Sequence, residues 1–119
     1  MKIERFEDIE SWQKARVLVN RIYGLNSPDY IKDFGLKDQL RRASVSIMSN
    51  IAEGFDSGSN KSFINFLNYS YRSVSEVQSL LYISSDLKYI DTDEFNELIG
   101  LTNDIKNLIG GFIQYLKKY

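Results

Sequence analysis

The side chains best equipped for chemistry in this sequence are Gln39, Arg42, Ser46, Asn50 and Glu53, with Arg41 beside them. Spacings of three and four put them on one flank of a helix, where hydrogen-bonding groups and charges of both signs concentrate. Two uses of such a face are open. One is a solvated face, or a network between helices or subunits in which Arg41 or Arg42 pairs with a carboxylate such as Glu53 or Glu76. The other is a ring of arginines, repeated around a closed oligomer, that contacts phosphates together with Lys14, Arg16, Lys61, Arg72, Lys117 or Lys118. In that case the sixteen acidic residues must segregate elsewhere.

Catalysis is poorly provided for. The chain has no histidine and no cysteine, which removes the usual general base near neutral pH, the thiolate nucleophile and most zinc, copper and haem ligand sets. A carboxylate di-iron bundle needs Glu-x-x-His pairs, so it is excluded. No Gly-rich phosphate loop follows a strand and no calcium-loop motif occurs. An acid or base role for Glu53 or Glu76 requires a second carboxylate at a suitable distance. The expectation is no catalytic residue, no cofactor and no metal. Residues 1–8 are charged and lack an apolar signal core, and no run approaches the ~18 apolar residues of a membrane span. With the absence of cysteine, this makes the cytoplasm the expected location, with no membrane contact.

The elements that must position these residues are helical. The chain has 119 residues, 43% hydrophobic and 26% charged, with a single proline. That suits one domain over residues 1–119, without a linker. The spacing predicts a first helix over 8–25, with Ile9, Trp12, Ala15, Val19, Ile22 and Tyr23 inward. Asn26, Ser27 and Pro28 break it. Ser27 can cap, and Pro28 suits the first position of a short helical turn reaching about 33, which Gly35 punctuates.

The second helix, 36–55, carries Leu36, Leu40, Ala43, Ser44, Ile47 and Ile51 inward, with Gly54 near its end. The third, 60–89, is capped by Ser59 or Asn60. Its stripe is Phe63, Phe66, Leu67, Ser70, Ser73, Val74, Val77, Leu80, Leu81 and Ser84. Asp91, Thr92, Asp93 and Glu94 form a capping-box variant that opens the fourth, 92–117. There Phe95, Leu98, Thr102, Ile105, Ile109, Phe112, Ile113 and Leu116 face inward. Short connections favour antiparallel neighbours, so the predicted fold class is all-α, an antiparallel up-down-up-down four-helix bundle.

Small residues at Ala15, Ala43, Ser44, Ser70 and Ser73 let helix pairs approach closely. Gly100, Gly110 and Gly111 each cost up to ~1 kcal/mol in a helix interior, and close backbone contact is the expected reason. Apolar side chains also flank the stripes. Val45, Met48, Ala52 and Phe55 lie on one flank of the second helix. Ile64, Tyr71 and Tyr82, and Tyr69, Ile83 and Leu87, flank the third, while Leu101, Leu108, Tyr115 and Tyr119 extend the fourth. A wide core accommodates some of them, but tyrosine-rich flanks suit a subunit interface, where the ring is buried and the hydroxyl stays wet. The expected oligomer interface includes Val45, Met48, Phe55, Ile64, Tyr71 and Tyr82. The net charge of -1 and pI near 5.4 argue against a large uniform basic field, though not against local patches.

The run QLRRASVSIMSNIAEGF, 39–55, resembles the signature of a four-helix-bundle family encoded in intervening sequences of bacterial 23S ribosomal RNA genes. Phe6, Asp8, Ile9, Trp12, Gln13, Lys14 and Ala15 resemble the family's opening, and Leu36 precedes the signature. Lys61, Phe63, Phe66 and Leu67 resemble its third-helix start, and Ser73 and Glu76 a Ser-x-x-Glu element. Departures are Met48, where proline is frequent, and Ser70, Tyr71 and Arg72, where small or basic residues and a glycine are usual.

The resemblance implies a bacterial bundle that assembles into a ring, typically a homopentamer. A related branch, the accessory proteins of diversity-generating retroelements, resembles this fold and carries strongly basic surfaces, and this acidic chain fits that branch less well. The expected function is a noncatalytic oligomeric scaffold associated with RNA or a ribonucleoprotein. The alternative is a protein–protein interaction module that recruits a protein partner without nucleic acid.

Overall fold

A computed structural model describes residues 3–119. Met1 and Lys2, part of the charged opening read above, lie outside the described residues. A single 3-10 turn, Phe6–Asp8, precedes α1 (Glu10–Tyr23). Then come the short α2 (Pro28–Lys32), α3 (Phe34–Phe55), α4 (Asn60–Asp86) and α5 (Thr92–Lys117). Among the described residues there is no strand.

Local chemistry explains most of the starts and stops. The Asp33 carboxylate accepts from the Leu36 N–H at 3.1 Å, the Ser59 hydroxyl from the Ser62 N–H at 3.1 Å and the Asp91 carboxylate from the Glu94 N–H at 2.8 Å. Each satisfies one of the amide donors that a helix leaves unpaired in its first turn. Pro28 occupies the first turn of α2, where its missing N–H costs nothing. Ser27 does not cap that helix. Its hydroxyl instead donates to the Tyr89 carbonyl at 2.8 Å, tying the α1–α2 loop to the α4–α5 loop.

Four long helices pack around one core. α3 lies most extensively against α4, α4 against α5, and α1 against both α3 and α5. Contact pairs run in opposite numerical directions along the seams. Across α3 and α4, Ser46 meets Ser73 and Gly54 meets Phe63. Across α4 and α5, Phe63 meets Phe112, Gln78 meets Thr102 and Tyr82 meets Phe95. Across α1 and α5, Lys14 meets Asp104 and Arg21 meets Glu97. Leu18, Ile22, Leu40, Ile47, Ile51, Leu67, Val74, Leu81, Leu98, Ile105 and Ile109 are fully buried. Each such side chain contributes up to roughly 1.5–3 kcal/mol of transfer free energy.

The inward stripes of α3 and α5 follow the sequence pattern, with Phe95 and Phe112 only part-buried, and so does that of α4 apart from the half-buried Phe66 and Ser73. α1 differs. It is shorter than the predicted 8–25, and its buried residues are Ser11, Ala15, Leu18 and Ile22. Trp12 and Val19 are half-buried and Tyr23 is exposed. The face is rotated because Ile9 is drawn into the core as the residue before the helix, which turns Ser11 and Leu18 inward. α3 starts at Phe34 because Asp33 caps it, so Gly35 lies within its first turn rather than punctuating the loop. α4 stops at Asp86, short of the predicted 89, and Lys88 takes a left-handed φ of 61° in the turn.

The glycines reverse the expectation about close contact. A Cβ on Gly100 or Gly111 would meet nothing within 4 Å, and one on Gly110 only the Tyr71 ring at 3.9 Å. The tight position is Gly54, where a Cβ would lie 2.7 Å from Phe66 Cβ and 2.8 Å from Phe63 Cδ1. Gly54→Ala is expected to destabilise the protein by about 1–3 kcal/mol through overpacking. Gly100→Ala should stabilise it by up to ~1 kcal/mol through helix propensity. Urea unfolding at matched protein concentration, followed by circular dichroism, reads both signs.

Candidate interaction surfaces

The α3–α4 seam is built from small polar residues. The buried Ser70 hydroxyl donates to the Ile47 carbonyl at 2.7 Å, and the Ser46 and Ser73 hydroxyls lie 2.9 Å apart. Asn50 Nδ2 donates back to the Ser46 carbonyl at 2.9 Å and its hydroxyl at 3.0 Å. Of the polar flank, Ser46 is therefore engaged across the seam, and Asn50 is bonded to Ser46 from within α3. Gln39, Arg42 and Glu53 stay exposed on the same flank.

Within one chain, neither Arg41 nor Arg42 pairs with Glu53 or Glu76 among the described residues. Ion pairs among the described residues are Arg5–Glu7 at 3.8 Å, Lys14–Asp104 at 3.8 Å and Arg21–Glu97 at 3.5 Å. These are open to solvent, and such pairs contribute at most ~1 kcal/mol each.

Arg41 does not sit beside Arg42 in space. One residue along a helix is a turn of about 100°, and this turn carries Arg41 to the opposite flank. Its guanidinium carbon stacks 4.5 Å from the centre of the Tyr23 ring on α1. Its Nε is buried without a partner, and so is the Tyr30 hydroxyl. Burial pushes the Tyr30 phenol above its ordinary pKa, and the nearby Arg41 charge opposes that shift without closing an aligned hydrogen bond. Tyr89 donates to Asp33 Oδ2 at 2.9 Å, and this bond to a carboxylate is the main reason its own pKa is raised. Tyr30 and Tyr89 meet edge to face at 6.2 Å. The cluster ties α2 and the start of α3 to the α4–α5 loop.

The six residues expected at an oligomer interface divide between two places. Val45, Met48 and Phe55 share the α3 flank of Arg41, and Ile64, Tyr71 and Tyr82 line the α4 flank nearest α5. Met48, Phe55 and Ile64 are part-buried against this chain's own core, and Val45 is half-buried. Tyr71 lies under the Lys106 ammonium at 5.2 Å. Tyr82 stays 57% exposed with its ring edge-on to Phe95 at 5.0 Å.

A marked concave surface involves other residues. A groove of about 590 Å³ runs between the start of α1 and the last turns of α5, lined by Ile3, Asp8, Ile9, Glu10, Ser11, Gln13, Leu108, Phe112 and Tyr115. Ile3, Phe112 and Tyr115 also line an adjoining hollow of about 400 Å³, with Phe55, Gly58, Ser59, Asn60, Phe63 and Leu116. An aromatic run links them: Phe55 to Phe63 at 6.1 Å, Phe63 to Phe112 at 5.1 Å, Phe112 to Tyr115 at 6.3 Å and Tyr115 to Tyr119 at 4.9 Å. The Ser11 hydroxyl is buried at the groove without a hydrogen-bond partner.

The α5 wall was visible in the sequence as the flank Leu108, Tyr115 and Tyr119. The α1 wall was hidden by placing Trp12 rather than Ser11 inward. Among the described residues no three metal-binding side chains converge.

Because Arg41 packs and Arg42 does not, Arg41→Ala should cost about 1 kcal/mol or more through lost stacking and packing. Arg42→Ala should stay within about 0.5 kcal/mol of the parent. Thermal melts of the two variants check this contrast. In a spectrophotometric titration, the Tyr30 and Tyr89 phenols should ionise later than an ordinary tyrosine, and Tyr89→Phe should remove one of the late steps.

The family described as 23S rRNA-intervening sequence protein matches residues 7–111 of the chain. A crystal structure from Bacteroides thetaiotaomicron, described as a protein with unknown function from the S23 ribosomal protein family, superposes with a TM-score of 0.79 at 24% identity. The superposition covers 87% of this chain and 97% of that one, and at this identity it speaks to fold. No curated protein matches the chain.

Proposed function

This chain belongs to the 23S rRNA-intervening sequence protein family, and on that premise we propose that it is a noncatalytic, self-associating scaffold that acts with RNA or a ribonucleoprotein. Its architecture in this reading is an antiparallel up-down-up-down four-helix bundle, supported by contact pairs whose numbers rise on one helix as they fall on its neighbour. The observation that carries self-association is the pair of adjoining hollows lined by Phe55, Phe112 and Tyr115, with the exposed Tyr119 stacked beside them. Apolar concavities on this scale mark places where a protein meets a partner. The homopentameric ring is the assembly that the family resemblance implies. The noncatalytic character rests on a composition without His or Cys. A cytoplasmic site of action accords with that composition, and among the described residues no helix is long and apolar enough to cross a membrane.

RNA contact in this reading belongs to Arg42, exposed on α3, with Arg72 on the neighbouring α4. Repetition around a ring would multiply a weak single-site contact into avidity without new chemistry. Arg41, stacked on Tyr23, supports the packing rather than the contact. The second reading, a protein–protein module without nucleic acid, draws on that same inward Arg41 and on the engagement of Ser46 and Asn50 within the molecule, which thin the polar face.

Light scattering should give a mass several times that of the 13.8 kDa chain. The same peak should shift a 23S ribosomal RNA fragment at low salt, with affinity falling as salt rises, because each phosphate contact releases counterions. Arg42→Ala together with Arg72→Ala should flatten the salt slope. An oligomer that ignores RNA at low salt moves the assignment to the protein–protein module, and a monomer overturns the self-association.

A further inference from the structure

The groove between α1 and α5 has an uneven charge: among the described residues, those that line it and are ionised at neutral pH are Asp8 and Glu10. An apolar trough with carboxylates at its edge favours an occupant that brings large apolar groups next to ammonium or guanidinium groups. This chain carries such a segment at the end of α5. Lys117 and Lys118 are exposed, Tyr119 is 80% exposed, and neither lysine forms an ion pair among the described residues.

The placement of groove and segment also fits a ring. The molecule is elongated, 47 Å along its longest axis and 22 Å and 19 Å across. Rotation about an axis parallel to the helices keeps every residue at the same height in each copy. A head-to-tail contact in such a ring must therefore join features at one height. Tyr115 lines the groove and Tyr119 stacks on Tyr115 at 4.9 Å, so groove and segment lie side by side at one end, and the segment reaches a neighbour by projecting from the helix end.

We propose that this groove receives the Lys117–Tyr119 segment of a neighbouring copy of the chain. The proposal rests on the self-association put forward above and names its contact. The neighbour's Tyr119 ring fills the trough against Phe112 and Leu108, and its lysines meet Asp8 and Glu10. Each copy donates one segment and accepts one, so every groove is filled only in a closed assembly, whether a ring or a pair that exchanges segments.

Charge exchange and crosslinking test this on the full chain. Asp8→Lys with Glu10→Lys should weaken association by about tenfold or more, as should Lys117→Glu with Lys118→Glu. Combining the two sets should restore the parent mass in light scattering. All four sites are on the surface, and circular dichroism melts confirm that the variants remain folded. Because the chain has no cysteine, Glu10→Cys and Lys118→Cys can be made as separate proteins and mixed under mild oxidation. A disulfide heterodimer in excess over either homodimer is the expected result. A parent oligomer that tolerates both charge reversals, or a quadruple variant that fails to reassociate, overturns the proposed contact while leaving self-association standing. A parent that is monomeric at every concentration overturns both.

Discussion

α3 and α4 can lie as close as they do only because Gly54 has no side chain where Phe63 and Phe66 press against it. The close packing of this pair fixes much else. It brings Ser70 within 2.7 Å of the Ile47 carbonyl and Ser46 within 2.9 Å of Ser73, so the seam is closed by hydroxyls rather than by large apolar side chains. A buried hydroxyl without a partner is costly, and these are satisfied only while the backbones stay near each other. The small residues and the hydrogen bonds thus depend on one another. A larger residue at Gly54 would disturb both.

That constraint also decides which polar residues remain available for other work. A run of hydrogen-bonding side chains at helical spacing looks like one functional face, but the seam consumes its middle. Ser46 and Asn50 are bonded within the molecule, while Arg42, Gln39 and Glu53 project beyond the region where the helices touch. Arg41 is removed by geometry alone, since adjacent residues on a helix point about 100° apart. Its stacking on Tyr23 and its proximity to Tyr30 make it a prop for the short α2 and its surroundings.

Long periodic segments were legible in the sequence because one face of each is buried against two neighbours. The bounds of α5 agree with the pattern to the residue, and the Asp91 cap that starts it is a local signal needing no tertiary knowledge. α1 was harder. It is short, Ile9 joins the core from outside the helix, and the serine at position 11 reads as polar although it is buried. A wheel centred on Trp12 fits the sequence almost as well, and only packing against α3 and α5 selects the other. The groove is hidden in the sequence for the same reason. Its α5 wall was an evident apolar flank, but its α1 wall exists only once Ser11 turns inward. The exposed glycines were misread because propensity shows that a glycine weakens a helix without showing what, if anything, approaches it.

A near-neutral chain can still present a coherent charge if assembly sorts its surfaces. The groove edge is acidic and the end of α5 basic, so pairing them between copies would cancel charge inside the contacts. The charge left exposed would then include the outer faces of α3 and α4, where Arg42 and Arg72 lie with Glu53 and Glu76. A net charge of -1 for the chain is thus a poor guide to what a ring would show a polyanion. Affinity in such an assembly depends on local potential and on the number of simultaneous contacts, more than on the sum over the sequence. The modest basic content of one protomer is therefore compatible with RNA engagement only through assembly, which makes self-association the step on which the scaffold reading physically depends.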